Sequence, residues 1–81
     1  MAKLLQLSIS KVDESVFDGL VTSVTLPGSE GEMTILAEHT ALITVLKAGV
    51  ITVVVEGGTK QTFETNGGTL EISNNHATVL I

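Results

Sequence analysis

The stretch VITVVVEGGTKQTFETNGGTLEISNNHATVLI, residues 50–81, decides the fold. Its first seven residues are apolar on both faces of an extended chain, as expected for a strand covered on both sides. Gly57-Gly58 is a tight hairpin signal, after which residues 59–65 return as a largely polar strand. Asn66-Gly67-Gly68 turns the chain again. Leu70 and Ile72 then alternate with Thr69, Glu71 and Ser73, Asn74-Asn75 makes the last turn, and Ala77, Val79 and Ile81 share one face. His76, beside that turn, reads as an exposed turn residue.

The same period runs upstream. Leu5, Leu7 and Ile9 alternate with Gln6, Ser8 and Ser10. Residues 11–19 are polar around a short Ser15-Val16-Phe17 piece. Leu20, Thr22, Val24 and Leu26 then form one face of a strand and Val21, Ser23 and Thr25 the other. Pro27-Gly28 stops that strand, since proline presets a turn and glycine accepts positive φ. Met33, Ile35 and Leu36 make a further short strand, whereas LITVL, residues 42–46, fits either a buried strand or one helical turn. Valine, isoleucine and threonine supply 27 of the 81 residues, and side chains branched at Cβ suit a pleated sheet better than a helix. The expectation is one all-β domain, a small two-sheet β-sandwich or flattened barrel of about 8–10 short strands, with turn signals spaced as in such folds.

Composition excludes several function classes. Nine acids against four lysines, with no arginine, give a net charge of −5. A nucleic-acid binder needs clustered cations to displace phosphate counterions, so nucleic acid is not an expected partner. Cysteine is absent, which removes disulfides and thiolate ligands. No apolar run approaches bilayer length, and MAKLLQLSIS lacks a secretory signal's apolar segment and cleavage site, so no direct membrane insertion is expected.

The stretch LPGSEGEMTILAEHTALITVLKAG, residues 26–49, gathers a serine, a histidine and several acids. A nucleophile elbow needs Gly-x-Ser-x-Gly on a strand-to-helix turn, and Ser29 follows Gly28 directly. A phosphate loop needs GxxxxGK[ST], but Gly31 precedes Glu32, and acids repel phosphate. His39 and His76 lie too far apart, and without partner ligands, for a metal motif. Glu30, Glu32 and Glu38 could pair for glycoside cleavage, yet the chain has two phenylalanines and neither tryptophan nor tyrosine to form a sugar platform. His39 reads better as a loop residue whose ring bonds backbone. No catalytic residue, metal or cofactor is expected. The apolar strand VITVVVE in so small a domain implies either full enclosure or a protein interface.

Several motifs in order carry a resemblance: Phe17-Asp18-Gly19, Gly28-Ser29-Glu30-Gly31-Glu32, His39 with Leu42, Lys47-Ala48-Gly49-Val50, Gly67-Gly68 before Leu70-Glu71, and Ala77-Thr78-Val79-Leu80. Together they resemble the N-terminal β-domain of the epsilon subunit of F-type ATP synthases, whose mitochondrial equivalent is called delta. The match covers residues 17–80. Around the histidine the family often reads Gly-x-Leu-Pro-Gly-His-Ala-Pro. This sequence has no glycine after Met33 and neither of those prolines, and Thr69 stands where a larger apolar residue is common.

The resemblance implies a ten-stranded sandwich at the foot of the central stalk, spanning residues 1–81 without the family's C-terminal helical hairpin. It implies a non-catalytic rotor domain that packs on the gamma subunit and rests on the polar loops of the c-ring, helping to couple proton-driven rotation to ATP synthesis. Such a domain sits peripherally on the cytoplasmic face of the bacterial inner membrane. By that analogy Ser29, Glu30, Glu32 and His39 face the c-ring, with Glu32 opposite a basic loop residue. Val50, Thr52 and Val54 are the expected gamma contact, on exposed apolar area. The alternative is a free-standing β-sandwich module that binds a ligand or protein.

Overall fold

A computed structural model describes residues 3–81. Eight strands follow one another: β1 Leu5–Lys11, β2 Glu14–Gly28, β3 Gly31–Leu36, β4 Leu42–Leu46, β5 Gly49–Val55, β6 Lys60–Thr65, β7 Gly68–Ser73 and β8 His76–Leu80. They form two layers joined through β2. Its first half pairs antiparallel with β1, whose other neighbour is β8 in parallel, and β7 and β4 complete that layer. Its second half lies between β3 and β5, and β6 lies beyond β5. One strand of 15 residues thus serves both sheets, which is why eight strands suffice where ten were implied.

The layers enclose one core. Among the described residues, fourteen apolar side chains from seven of the strands are buried, including Leu5, Leu7 and Ile9 of β1, Ile51 and Val53 of β5, and Leu70 and Ile72 of β7. Each fully buried aliphatic side chain contributes about 1.5–3 kcal/mol by leaving water. The alternation in β1, β7 and β8 is as the sequence indicates. LITVL is a strand, paired along its length with β7.

Four sequence expectations need correction. Residues 11–19 hold more strand than the short Ser15-Val16-Phe17 piece, because β2 begins at Glu14 and zips against β1 from Lys11↔Glu14 to Leu5↔Val21. Within β2 the phase of the first half is inverted: Val21 is buried and Leu20 is 54% exposed. The cause is a β-bulge. Val55 pairs with Val21 and Val54 with Ser23, so Thr22 is an extra residue that shifts the alternation before Val24 and Leu26 re-enter the core. Thr22 Oγ1 donates to the Val54 carbonyl at 2.9 Å and anchors the bulge. Third, β2 does end at Pro27-Gly28, but these two residues are its last paired positions and not the turn. β2 continues to Gly28, which pairs with Gly31 across a two-residue Ser29-Glu30 turn.

The fourth concerns β5, which is not covered on both faces. Ile51 and Val53 are buried, while Val50 is 49% exposed and Thr52 and Val54 are half-buried on the outer face. The turns differ too. Gly57-Gly58 sits in a wider loop, closed by the Val55 N–H donating to the Thr59 carbonyl at 2.9 Å. Residues 66–67 make a crossover between layers, because β6 pairs with β5 and β7 with β4 and β8. Only Asn74-Asn75 is a two-residue hairpin turn of type I′, with φ of 52° and 60°.

Candidate functional site

The Ser29-Glu30 turn is held from behind. Ser29 N donates to the Val45 carbonyl at 2.9 Å, and Lys47 N donates to the Pro27 carbonyl at 2.8 Å. The turn and the β4–β5 connection therefore form one unit. Gly49 makes this possible, since a Cβ there would stand 2.9 Å from Pro27 Cβ. Ser29, Glu30 and Glu32 are all exposed, and the only ion pair among the described residues, Lys3–Glu38 at 2.9 Å, involves none of them.

His39 lies elsewhere. β3 runs from the turn to Leu36, so the loop of residues 37–41 begins at the opposite end of that strand, on the order of 15 Å away at ordinary strand rise. The serine and histidine are not brought together. The loop is shaped by Asn75: its Oδ1 accepts from Glu38 N at 2.7 Å and its Nδ2 donates to the Leu4 carbonyl at 2.8 Å. Glu38 adopts φ of 62°, a left-handed conformation that this side-chain cap sustains. His39 Nδ1 lies 2.7 Å from the Thr40 carbonyl, and a carbonyl only accepts, so Nδ1 carries the proton there. The backbone-bonding role expected of His39 is what the ring performs. The loop is thus braced by an asparagine 37 residues away from Glu38.

A different polar cluster escaped sequence reasoning. On the outer face of β1, Asp18 Oδ1 accepts from Gln6 Nε2 at 2.8 Å and from Ser8 Oγ at 3.4 Å, and Ser8 Oγ is 3.0 Å from His76 Nε2. His76 is the first residue of β8, not a turn residue. The outward-facing half of the β1 alternation was the available signal. The order is wrong for nucleophilic catalysis, where histidine must stand between serine and acid; here serine stands between the other two. Among the described residues no group of three or more His, Asp or Glu could hold a metal.

The outer faces differ in polarity. Across the β3–β2–β5–β6 layer, Thr34, Thr25, Thr52 and Thr62 form one cross-strand row, with Thr25 and Thr34 hydroxyls 3.0 Å apart. Val54 lies in the next row with Ser23 and Leu36. The other layer exposes more apolar surface: Ile43 at 76%, Val45 at 58% and Leu80 at 54%. Val45 is opposite Thr69, which is opposite Leu80, so these side chains are neighbours across β4, β7 and β8. The ambiguity of LITVL hid this patch.

Residues 4–81 match the family described as ATP synthase, Delta/Epsilon chain, beta-sandwich domain. The ATP synthase epsilon chain of Nitratiruptor sp. is 40% identical over 77 residues, covering 95% of this chain and 60% of that protein. The epsilon chain of Sulfurimonas denitrificans is 40% identical over 77 residues, covering 95% and 59%. The chain thus spans about three-fifths of these relatives. A chain in the Euglena gracilis mitochondrial ATP synthase, in a structure of OSCP/F1/c-ring in rotational state 1, is similar at TM-score 0.90 and 26% identity, covering 95% of this chain and 49% of that one. A chain of the Tetrahymena thermophila mitochondrial ATP synthase central stalk/c-ring shares the fold at TM-score 0.74 and 18% identity, covering 93% and 60%.

Proposed function

The chain belongs to the delta/epsilon β-sandwich family of ATP synthase, and from that premise we propose that it is a non-catalytic rotor domain seated between the gamma subunit and the c-ring. The observation that carries this reading is the family match over residues 4–81. The likeness to a chain of a complex that includes the c-ring supports it. In this role the domain transmits torque to catalytic sites elsewhere, as a peripheral part of the complex on the cytoplasmic face of the bacterial inner membrane. Among the described residues no helix is long and apolar enough to cross a membrane.

Ser29, Glu30, Glu32 and His39 are the proposed c-ring contacts. Their exposure and the braced backbone behind the Ser29-Glu30 turn support the assignment. Glu32 carries the electrostatic part, against a basic loop residue; a pair at a solvated rim fixes register more than affinity. For gamma, two outer faces compete. The sequence-based choice is Val50, Thr52 and Val54. The patch of Ile43, Val45 and Leu80 exposes larger fractions of its apolar side chains, and we favour it on that ground.

The test is co-purification with gamma and the c-ring at low salt, using the folded 81-residue chain and assaying ATP hydrolysis alongside. Binding without hydrolysis by the chain itself supports the reading. A folded chain that binds neither partner overturns it. The ligand-binding alternative gains little: a cavity of about 420 Å³ beside β6 offers one aromatic ring, Phe63.

A further inference from the structure

Asparagine followed by glycine is the dipeptide in which a backbone nitrogen most readily attacks the preceding side-chain amide, because glycine puts no Cβ in the way. The chain has three asparagines, at 66, 74 and 75, and only Asn66 precedes glycine. Asn66 is exposed in the crossover from β6 to β7, and no hydrogen bond to its side chain occurs among the described residues. Asn75, by contrast, is tied by its side chain to Glu38 and Leu4, and Asn74 precedes Asn75, whose Cβ hinders the attack, inside a tight turn. The one Asp-Gly pair, Asp18-Gly19, is fixed in the β1–β2 ladder, with the Asp18 carboxylate bound by Gln6 and Ser8.

The nucleophile at the Asn66 site is restrained. Thr65 is buried, and its Oγ1 accepts from Gly67 N at 3.0 Å while donating to the Gly67 carbonyl at 2.7 Å. This clamp orders the peptide nitrogen toward the hydroxyl, and attack requires that bond to break and the peptide unit to turn.

We propose that Asn66 is a site of spontaneous deamidation and that the Thr65 hydroxyl sets its rate. Gly67 N forms a bond to Asn66 Cγ, the Cγ–amide nitrogen bond breaks, and ammonia leaves carrying the proton lost from Gly67 N. The resulting five-membered imide takes up one water from solvent. Opening at one carbonyl gives aspartate, and opening at the other gives isoaspartate, in which the main chain runs through the side-chain methylene. No electron transfer occurs.

The two products differ in consequence. Aspartate adds a negative charge beside Glu64, on a cavity wall that also carries Lys11. Isoaspartate lengthens the main chain between residue 66 and Gly67, just ahead of Gly68, where a Cβ would collide with the Leu80 carbonyl oxygen. The added atom displaces the chain that leads into this crowded end of the β7–β8 ladder, so the isoaspartyl form is the less stable of the two.

The experiment incubates the purified 81-residue chain at mildly alkaline pH and follows each asparagine by peptide mass mapping, with isoaspartyl methyltransferase labelling to separate the products. The wild-type chain is expected to convert at Asn66 ahead of Asn74 and Asn75. Thr65→Val is expected to convert several-fold faster at Asn66 alone, and Thr65→Ser to stay near wild type. Because Thr65→Val removes a buried hydroxyl, Asn74 serves as its internal control. Acceleration at both sites, or none at Asn66, overturns the role of the clamp. Conversion led by Asn74 or Asn75 in the wild-type chain overturns the site itself.

Discussion

Asn75 joins three segments with one side chain: its own hairpin turn, the Leu4 carbonyl and the backbone of Glu38. Removing it leaves a donor and an acceptor without partners, and a lost hydrogen bond with partial burial costs about 1–3 kcal/mol. Asn75→Ala is therefore expected to lower the denaturant midpoint clearly, without changing the slope that reports buried surface. The nearby Lys3–Glu38 pair is the contrast. Both side chains are more than 60% exposed, so Lys3→Ala is expected to shift stability by less than about 1 kcal/mol in the same titration. Glycines divide similarly. Gly68→Ala drives a Cβ into the Leu80 carbonyl and is expected to cost more than about 3 kcal/mol, whereas Gly57→Ala meets open space and carries only the strain of its φ, about 1 kcal/mol. Neither Asn75 nor Gly68 could be ranked from the sequence. Their importance comes from atoms on distant strands.

At the level of strands the sequence was far more legible. Alternation identified β1, β7 and β8 with their inward faces, because each is half-buried and unbroken. It failed where the period is interrupted. The bulge at Thr22 adds one residue, and one residue exchanges inside for outside in a period of two. Leu20 and Val21 are both apolar, so composition gave no hint of which was core. Pairing was less legible still, since the crossover at residues 66–67 looks in sequence like another hairpin turn. The bulge invites a direct test. Deleting Thr22 would restore simple alternation and leave Val21 and Val24 next-but-one neighbours on one face, so both could stay buried in a regular β2–β5 ladder. Deletion is therefore expected to leave unfolding cooperative in a denaturant titration. Thr22→Ala keeps the residue count, loses one hydrogen bond to Val54, and is expected to cost about 1 kcal/mol.

The described residues form a two-layer β-sandwich with a charged turn on one side and an apolar patch on another, and the proposed role rests on those surfaces. Resemblance located Ser29, Glu30, Glu32 and His39 in the sequence, but it could not say that β3 separates the histidine from the turn. Nor could it expose Ile43, Val45 and Leu80, whose outward aim depends on the layer they occupy. Two kinds of partner contact imply two salt responses. Burial of an apolar patch responds weakly to ionic strength, so Ile43→Asp is expected to weaken gamma capture at both low and high salt. Val54→Asp, on the opposite layer, is expected to spare it, and the reverse result would move the gamma contact to β5. The proposed c-ring contact is expected to behave otherwise. Exposed charges more than about 10 Å apart are screened at 0.1 M salt, and a rim pair is worth at most about 1 kcal/mol. Glu32→Lys replaces attraction with repulsion, so it is expected to reduce c-ring binding several-fold at low salt. Raising the salt should close the gap between variant and wild type. A gap that persists at high salt would mean that Glu32 packs at the interface instead of steering it.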